Sequence, residues 1–239
     1  MNNTDNILNT YTEVDVAMRI LAINFKAYET AFTETAVKIA EAASKAVTIY
    51  NNLRVILVVP SPLVYKLSRI HEDLYLQHVD PVEYGSRTGY LPAKALEHLP
   101  VKGTLLNHSE HKVTIRHIDY AIKTMHEIGK EILVCSDTPR EAAALAHLKP
   151  DMIAVEPPEL IGTGIPVSKA KPEVITRAVD AVQRIEPKIP VLAGAGISGP
   201  EDAAKAIELG AKGVLVASVV MKSKTPGRSL IELAEALSQ

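Results

Sequence analysis

The sequence feature that most constrains the fold is a set of eight short apolar runs, rich in branched residues, spread along the whole chain. They occupy residues 19–25, 54–59, 74–79, 103–108, 131–136, 152–157, 190–196 and 213–218. Runs that are apolar nearly throughout are typical of parallel strands buried on both faces by helices. The pattern therefore predicts eight parallel strands.

The segments between these runs show the apolar spacing of amphipathic helices. Examples are Thr33–Glu41 and Glu201–Gly210, the second of which ends on a glycine that is a common helix stop. Eight β/α units favour a closed (β/α)8 barrel over an open Rossmann-type sheet, because no GxGxxG follows the first run. We predict an α/β fold with one barrel domain over 20–239. Residues 1–19 are read as an N-terminal extension plus the start of strand one.

Composition narrows the class of partner. The formal net charge is −2, and the basic residues are scattered rather than clustered, so nucleic acid and membrane surfaces are not expected partners. No apolar run is long enough to cross a bilayer. Cys135 is the sole cysteine, so an internal disulfide is impossible, and no Cys/His cluster suggests a metal. These observations favour a cytoplasmic protein that acts on a small molecule.

Polar side chains collect where the predicted strands end, which in such barrels is the end that carries the active site. They are Asn24 and Lys26, Gln77 and His78, Asn107 to Glu110, and Glu156. The last two strands end instead in small residues, at 194–196 and 217–218. Backbone amides free of bulky side chains bind phosphate, so these two loops are candidate phosphate sites.

Lys26 and the pair Ser109 and Glu110 each allow a purely structural interpretation as well as a functional one. Lys26 is either a solvated loop residue or a cation that points into the barrel mouth. Ser109 and Glu110 are either caps of the helix that follows His108 or neighbours of a catalytic centre, in which Glu110 pairs with Lys26.

Glu156 precedes two prolines, which stiffen the chain, and then Gly162-Thr163-Gly164, which loosens it. A stiff hinge followed by a mobile tip is the layout of a lid. A carboxylate that a lid shields from water is a stronger base, suited to removing a proton next to a carbonyl. His108 and Lys26 are then candidates to stabilise the developing oxyanion.

In these stretches the chain resembles the triosephosphate isomerase family, in its shorter archaeal form. The resemblance runs from about residue 20 to 237 and rests on five segments in order: 24–26, 107–110, 155–164, 194–198 and 213–218. It implies a TIM barrel and a cofactor-free, metal-free isomerase that interconverts D-glyceraldehyde 3-phosphate and dihydroxyacetone phosphate in glycolysis and gluconeogenesis.

The resemblance also implies residue roles. Glu156 is expected to be the base, His108 the electrophile that shuttles protons, and Lys26 a catalytic and substrate-binding cation. Ser109 and Glu110 are expected to support them. The further substrate-binding positions are Asn24, Phe25, Ile161, Gly162, Gly196, Ala217 and Ser218.

The chain departs from the larger bacterial and eukaryotic enzymes, which have Tyr-Gly-Gly-Ser after strand seven where this chain has Ala193 to Gly196. Phosphate binding is therefore expected to rely on backbone amides. The family is dimeric or tetrameric, and Thr88 matches a loop that reaches a neighbouring subunit's site, so a homo-oligomer is expected, with a tetramer favoured.

Two other functions remain open at this point. One is a phosphosugar aldolase in which Lys26 forms a Schiff base. The other is a barrel that binds a phosphorylated metabolite without catalysis.

Overall fold

The computed structural model describes residues 18–158 and 170–239. In this part of the chain eight parallel strands close into a barrel in chain order, so the predicted (β/α)8 fold is confirmed. The N-terminal extension before Met18 lies outside the described residues, as do Ile161 and Gly162. The strands are β1 (Arg19–Asn24), β2 (Leu53–Val59), β3 (Leu74–Leu76), β4 (Gly103–Leu106), β5 (Glu131–Ser136), β6 (Met152–Val155), β7 (Val191–Ala193) and β8 (Gly213–Val216).

Helices alternate with the strands and cover the outside of the barrel. In α1, Thr33 accepts a hydrogen bond from the Thr35 amide, and the helix buries a stripe of residues spaced three or four apart. The described helices are α1 (Glu34–Ile49), α2 (Val64–Leu67), α3 (Ile115–Glu127), α4 (Pro139–Ala146), α5 (Pro172–Gln183), α6 (Pro200–Glu208), α7 (Ser218–Met221) and α8 (Pro226–Ser238), with 3-10 turns at Glu29–Phe32, Ser61–Leu63 and Ala93–His98. No helix among them is long and apolar enough to cross a membrane.

The core has two layers because successive strand residues point to opposite faces. Alternate residues such as Ile20 and Ala22, or Met152 and Ala154, form one apolar cluster that fills the barrel. Their neighbours along the strands, such as Leu21 and Ile153, belong to the larger cluster that packs against the helices.

The same alternation decides which side chains reach the barrel mouth. Asn24 lies two residues beyond the inward-facing Ala22, and Glu156 lies two beyond Ala154. Since all eight strands are parallel, their carboxyl ends meet at one rim. Residues far apart in sequence therefore converge there.

Candidate active site

A cavity at the carboxyl ends of the strands collects most of the predicted site residues. Its lining includes Asn24, Lys26, His108, Glu156, Gly196, Ala217 and Ser218. Phe25 was also predicted to bind substrate, but its side chain is fully buried in the core between strands and helices and does not line the cavity. Its amide donates to the carbonyl of Val58 at 2.9 Å.

Glu156 enters this cavity from the end of β6. Its amide donates to the Ser136 carbonyl at 2.8 Å, and its side chain is only 7% exposed. The carboxylate oxygen Oε2 lies 3.3 Å from His108 Nε2, yet no donor in the described part of the chain meets it in hydrogen-bond geometry. Buried polar atoms normally have partners. An unpaired carboxylate oxygen on a residue that lines the cavity is therefore suited to accept a proton from a bound molecule.

Cys135 lies inside the barrel next to Glu156, although no sequence pattern connects it with this centre. Burial, together with the neighbouring Glu156 carboxylate, raises the pKa of the Cys135 thiol well above its ordinary value. The thiol therefore stays protonated and is a poor nucleophile.

His108 reaches the mouth through a break in the strand alternation. Asn107 has a left-handed φ of 61°, and its side-chain amide is held by a hydrogen bond to the Cys135 carbonyl at 2.9 Å. The ring atom Nδ1 of His108 accepts the Glu110 amide hydrogen at 3.1 Å. Nδ1 therefore carries no proton, and the neutral ring presents its N–H at Nε2, beside Glu156.

The Glu110 carboxylate also lies 3.5 Å from His108 Nδ1, which on distance alone resembles an ion pair. The hydrogen bond from the Glu110 amide decides the state of Nδ1 instead, because the amide hydrogen occupies the Nδ1 lone pair. The proposed capping role of Ser109 or Glu110 is wrong, since Thr114 caps the next helix, α3, by accepting the His117 amide.

Glu110 instead pairs with Lys26, as the sequence had suggested. Lys26 Nζ donates to Glu110 Oε1 at 2.7 Å, and the two side chains are 15% and 55% exposed. Lys26 is thus a largely shielded cation at the rim rather than a solvated loop residue.

Small residues form the opposite wall. Ala195 and Gly196 both have left-handed φ values, of 64° and 72°, in the turn after β7. The buried Asp202 at the start of α6 anchors the end of this turn by accepting both the hydroxyl and the amide of Ser198. The wall presents backbone and methyl groups to the cavity.

Ala195, in the small-residue loop at 194–196, lines the cavity as well. Sequence reasoning did not single out four other residues that line it: Tyr28, Ile197, Leu215 and Val216. Ile197 directly follows the small-residue loop and Tyr28 lies two residues after Lys26, but none of the four carries a chemical group that singles it out. Within residues 18–158 and 170–239, no cluster of His, Cys, Asp and Glu is arranged to hold a metal ion.

Comparisons with known proteins agree with this geometry. A sequence profile described as "Triosephosphate isomerase" matches residues 19–237. The chain is 46% identical over 208 residues to a triosephosphate isomerase of Sulfurisphaera tokodaii, covering 87% of this chain and 90% of that one. It is 42% identical over 216 residues to the enzyme of the same name from Archaeoglobus fulgidus, covering 90% and 97%. The chain therefore belongs to the triosephosphate isomerase family.

Proposed function

We propose that this protein is an isomerase that interconverts D-glyceraldehyde 3-phosphate and dihydroxyacetone phosphate through an enediol(ate). The observation that carries the proposal is a buried Glu156 oxygen, to which no donor within residues 18–158 and 170–239 forms a hydrogen bond, 3.3 Å from the protonated Nε2 of a neutral His108. One group accepts a proton and the other donates one, which is what this reaction requires at adjacent atoms of the substrate.

The proposed steps conserve protons. Glu156 removes a proton from the carbon next to the substrate carbonyl, and the C–H electron pair becomes the carbon–carbon double bond of the enediolate. The carbonyl oxygen gains the charge, which His108 Nε2–H and the Lys26 ammonium stabilise. After His108 has moved a proton between the two oxygens, protonated Glu156 returns its proton to the other carbon.

Binding is assigned to both walls of the cavity. Lys26 and Asn24 bind the substrate from the β1 side, while the phosphate meets the backbone near Gly196, Ala217 and Ser218. The contribution expected of Ile161 and Gly162 lies outside the described residues and remains part of the proposal.

The contact between Lys26 and Glu110 argues against the aldolase alternative. Attack on a carbonyl requires an unprotonated amine with a free lone pair, whereas Lys26 forms an ion pair with the Glu110 carboxylate at 2.7 Å. We assign Lys26 to charge stabilisation.

We further propose that the protein works in the cytoplasm as a homo-oligomer. A lone, buried Cys135 suits a reducing compartment. The loop that carries Thr88 is bounded by Tyr84 and Tyr90, which are 54% and 56% exposed and offer apolar area to a second copy. A tetramer is favoured by the likeness to archaeal relatives.

The test is conversion of glyceraldehyde 3-phosphate in D₂O, followed by proton NMR. The wild-type protein should produce dihydroxyacetone phosphate with deuterium incorporation, and Glu156→Gln should lower turnover about 10²- to 10⁴-fold. Glu41→Gln, a matched change of an exposed carboxylate on α1, should leave turnover unchanged. Full activity of Glu156→Gln would remove Glu156 from the mechanism, and an inactive wild-type protein would favour the non-catalytic barrel.

A further inference from the structure

The backbone of Lys26 has an unusual conformation. Its φ is 46°, in the left-handed region that residues with a Cβ seldom adopt. Such a conformation persists only where surrounding contacts enforce it. The contacts that enforce it therefore also decide where the Lys26 ammonium lies.

Hydrogen bonds from side chains hold the peptide groups on both sides of Lys26. The Lys26 amide donates to Asn24 Oδ1 at 2.9 Å. Gln77 Nε2 donates to the Lys26 carbonyl at 3.0 Å and lies 3.3 Å from Asn24 Oδ1. Gln77 thus connects the two groups that define the turn.

Gln77 is well placed for this because of its position in β3. It follows the strand, Leu74–Leu76, and lies two residues beyond the inward-facing Tyr75, so its side chain points to the barrel mouth. It does not line the cavity that holds Glu156. It belongs instead to a neighbouring recess shared with Lys26, His108 and Glu110.

We infer that Gln77 is a positioning residue for the isomerase reaction, which fixes the left-handed turn at Lys26 and so places its ammonium over the substrate. Glu110 binds the ammonium group of Lys26, whereas Gln77 binds its backbone carbonyl. Without the Gln77 donor the Lys26 backbone can relax toward negative φ, which turns the side chain away from the cavity. The inference rests on the proposed role of Lys26 in binding substrate.

The variant Gln77→Met keeps the length of the side chain and removes its N–H donors. We expect KM for glyceraldehyde 3-phosphate to rise about 3- to 10-fold, the range expected from losing one hydrogen bond of ordinary net strength. Part of the loss should appear in KM, because Lys26 binds the ground state, and part in kcat, because Lys26 also stabilises the charge of the enediolate. Gln77→Glu faces the same oxygens with a carboxylate, so KM should rise further.

The matched control removes a bond of the same kind at the other end of the barrel. Asn52 donates its side-chain amide to the Ser238 carbonyl at 3.2 Å. Asn52→Leu should leave KM unchanged even if it lowers the unfolding midpoint. A general loss of stability does not raise the KM of the protein that remains folded.

A double-mutant cycle with Lys26→Met separates this inference from the proposed function. If Gln77 acts through Lys26, Gln77→Met should change kcat/KM less than twofold in the Lys26→Met background. An equal loss in both backgrounds, or wild-type KM in Gln77→Met, would overturn the inference alone. Wild-type kinetics in Lys26→Met itself would instead overturn the role of Lys26.

Discussion

The Glu156 carboxylate can occupy its position only because residue 194 has no side chain. An ideal Cβ built on Gly194 would lie 2.3 Å from Glu156 Cγ and 2.7 Å from Cδ and Oε1. Carbon atoms that are not bonded approach to about 3.5–4.0 Å, so Gly194→Ala should displace Glu156 Cγ by about 1.2 Å or more and the carboxyl carbon by about 0.8 Å or more. The backbone at Gly194 has little freedom to move instead, since its amide donates to the Val155 carbonyl at 2.9 Å.

A displacement of about 1 Å at a reacting group costs roughly 10²-fold in rate, and we expect a loss of that order in kcat for Gly194→Ala. The fold should persist, because the extra methyl meets a rotatable side chain, and the free energy of unfolding should fall by about 1–3 kcal/mol at most. Steady-state isomerase assays measure the first quantity, and urea unfolding followed by circular dichroism measures the second.

The matched control for this substitution lies in the same loop. A Cβ at Gly199 meets no atom of the described residues within 4 Å, so Gly199→Ala should retain kcat. Full kcat in a folded Gly194→Ala protein would show that the observed position of the Glu156 carboxylate is not the one used in catalysis.

Two further predictions concern the opposite end of the barrel. Although burial opposes it, hydrogen bonds to Asp73 and Glu131 raise the pKa of the Arg54 guanidinium, and Arg54→Met leaves both carboxylates without their cation. Since the pairs are partly exposed, we expect the free energy of unfolding, measured with urea, to fall by about 1–3 kcal/mol while kcat stays unchanged. An unaltered urea midpoint would contradict this. Burial lowers the pKa of His71. Its hydrogen bond to the Val55 carbonyl and two neighbouring carboxylates raise that pKa, but by less. The unfolded chain therefore binds the proton more readily, so the free energy of unfolding falls as pH drops below about 6.5. Between pH 8 and 5.5, His71→Asn should lose less of this free energy than wild type does. Equal losses would refute this.

Much of the fold and of the site can be predicted from the sequence. The continuous apolar runs identified the strands, and the polar residues that follow them, Asn24, Lys26, His108 and Glu156, do line one cavity. Phe25 was expected to bind substrate only because the resemblance implies it. It lies between two site residues in sequence, but strand alternation turns its side chain into the core.

The sequence by itself determined the barrel, because the number of apolar runs and their lengths depend on local patterns of hydrophobicity. Only the tertiary structure decided the chemical state of the site. The tautomer of His108 depends on the Glu110 amide, and the left-handed turn at Lys26 depends on Gln77, which is 51 residues away. Gln77 reaches Lys26 only after the strands have closed. The Glu110 amide is two residues from His108, but the turn between them follows Asn107, whose left-handed backbone is accompanied by a hydrogen bond to the Cys135 carbonyl on another strand.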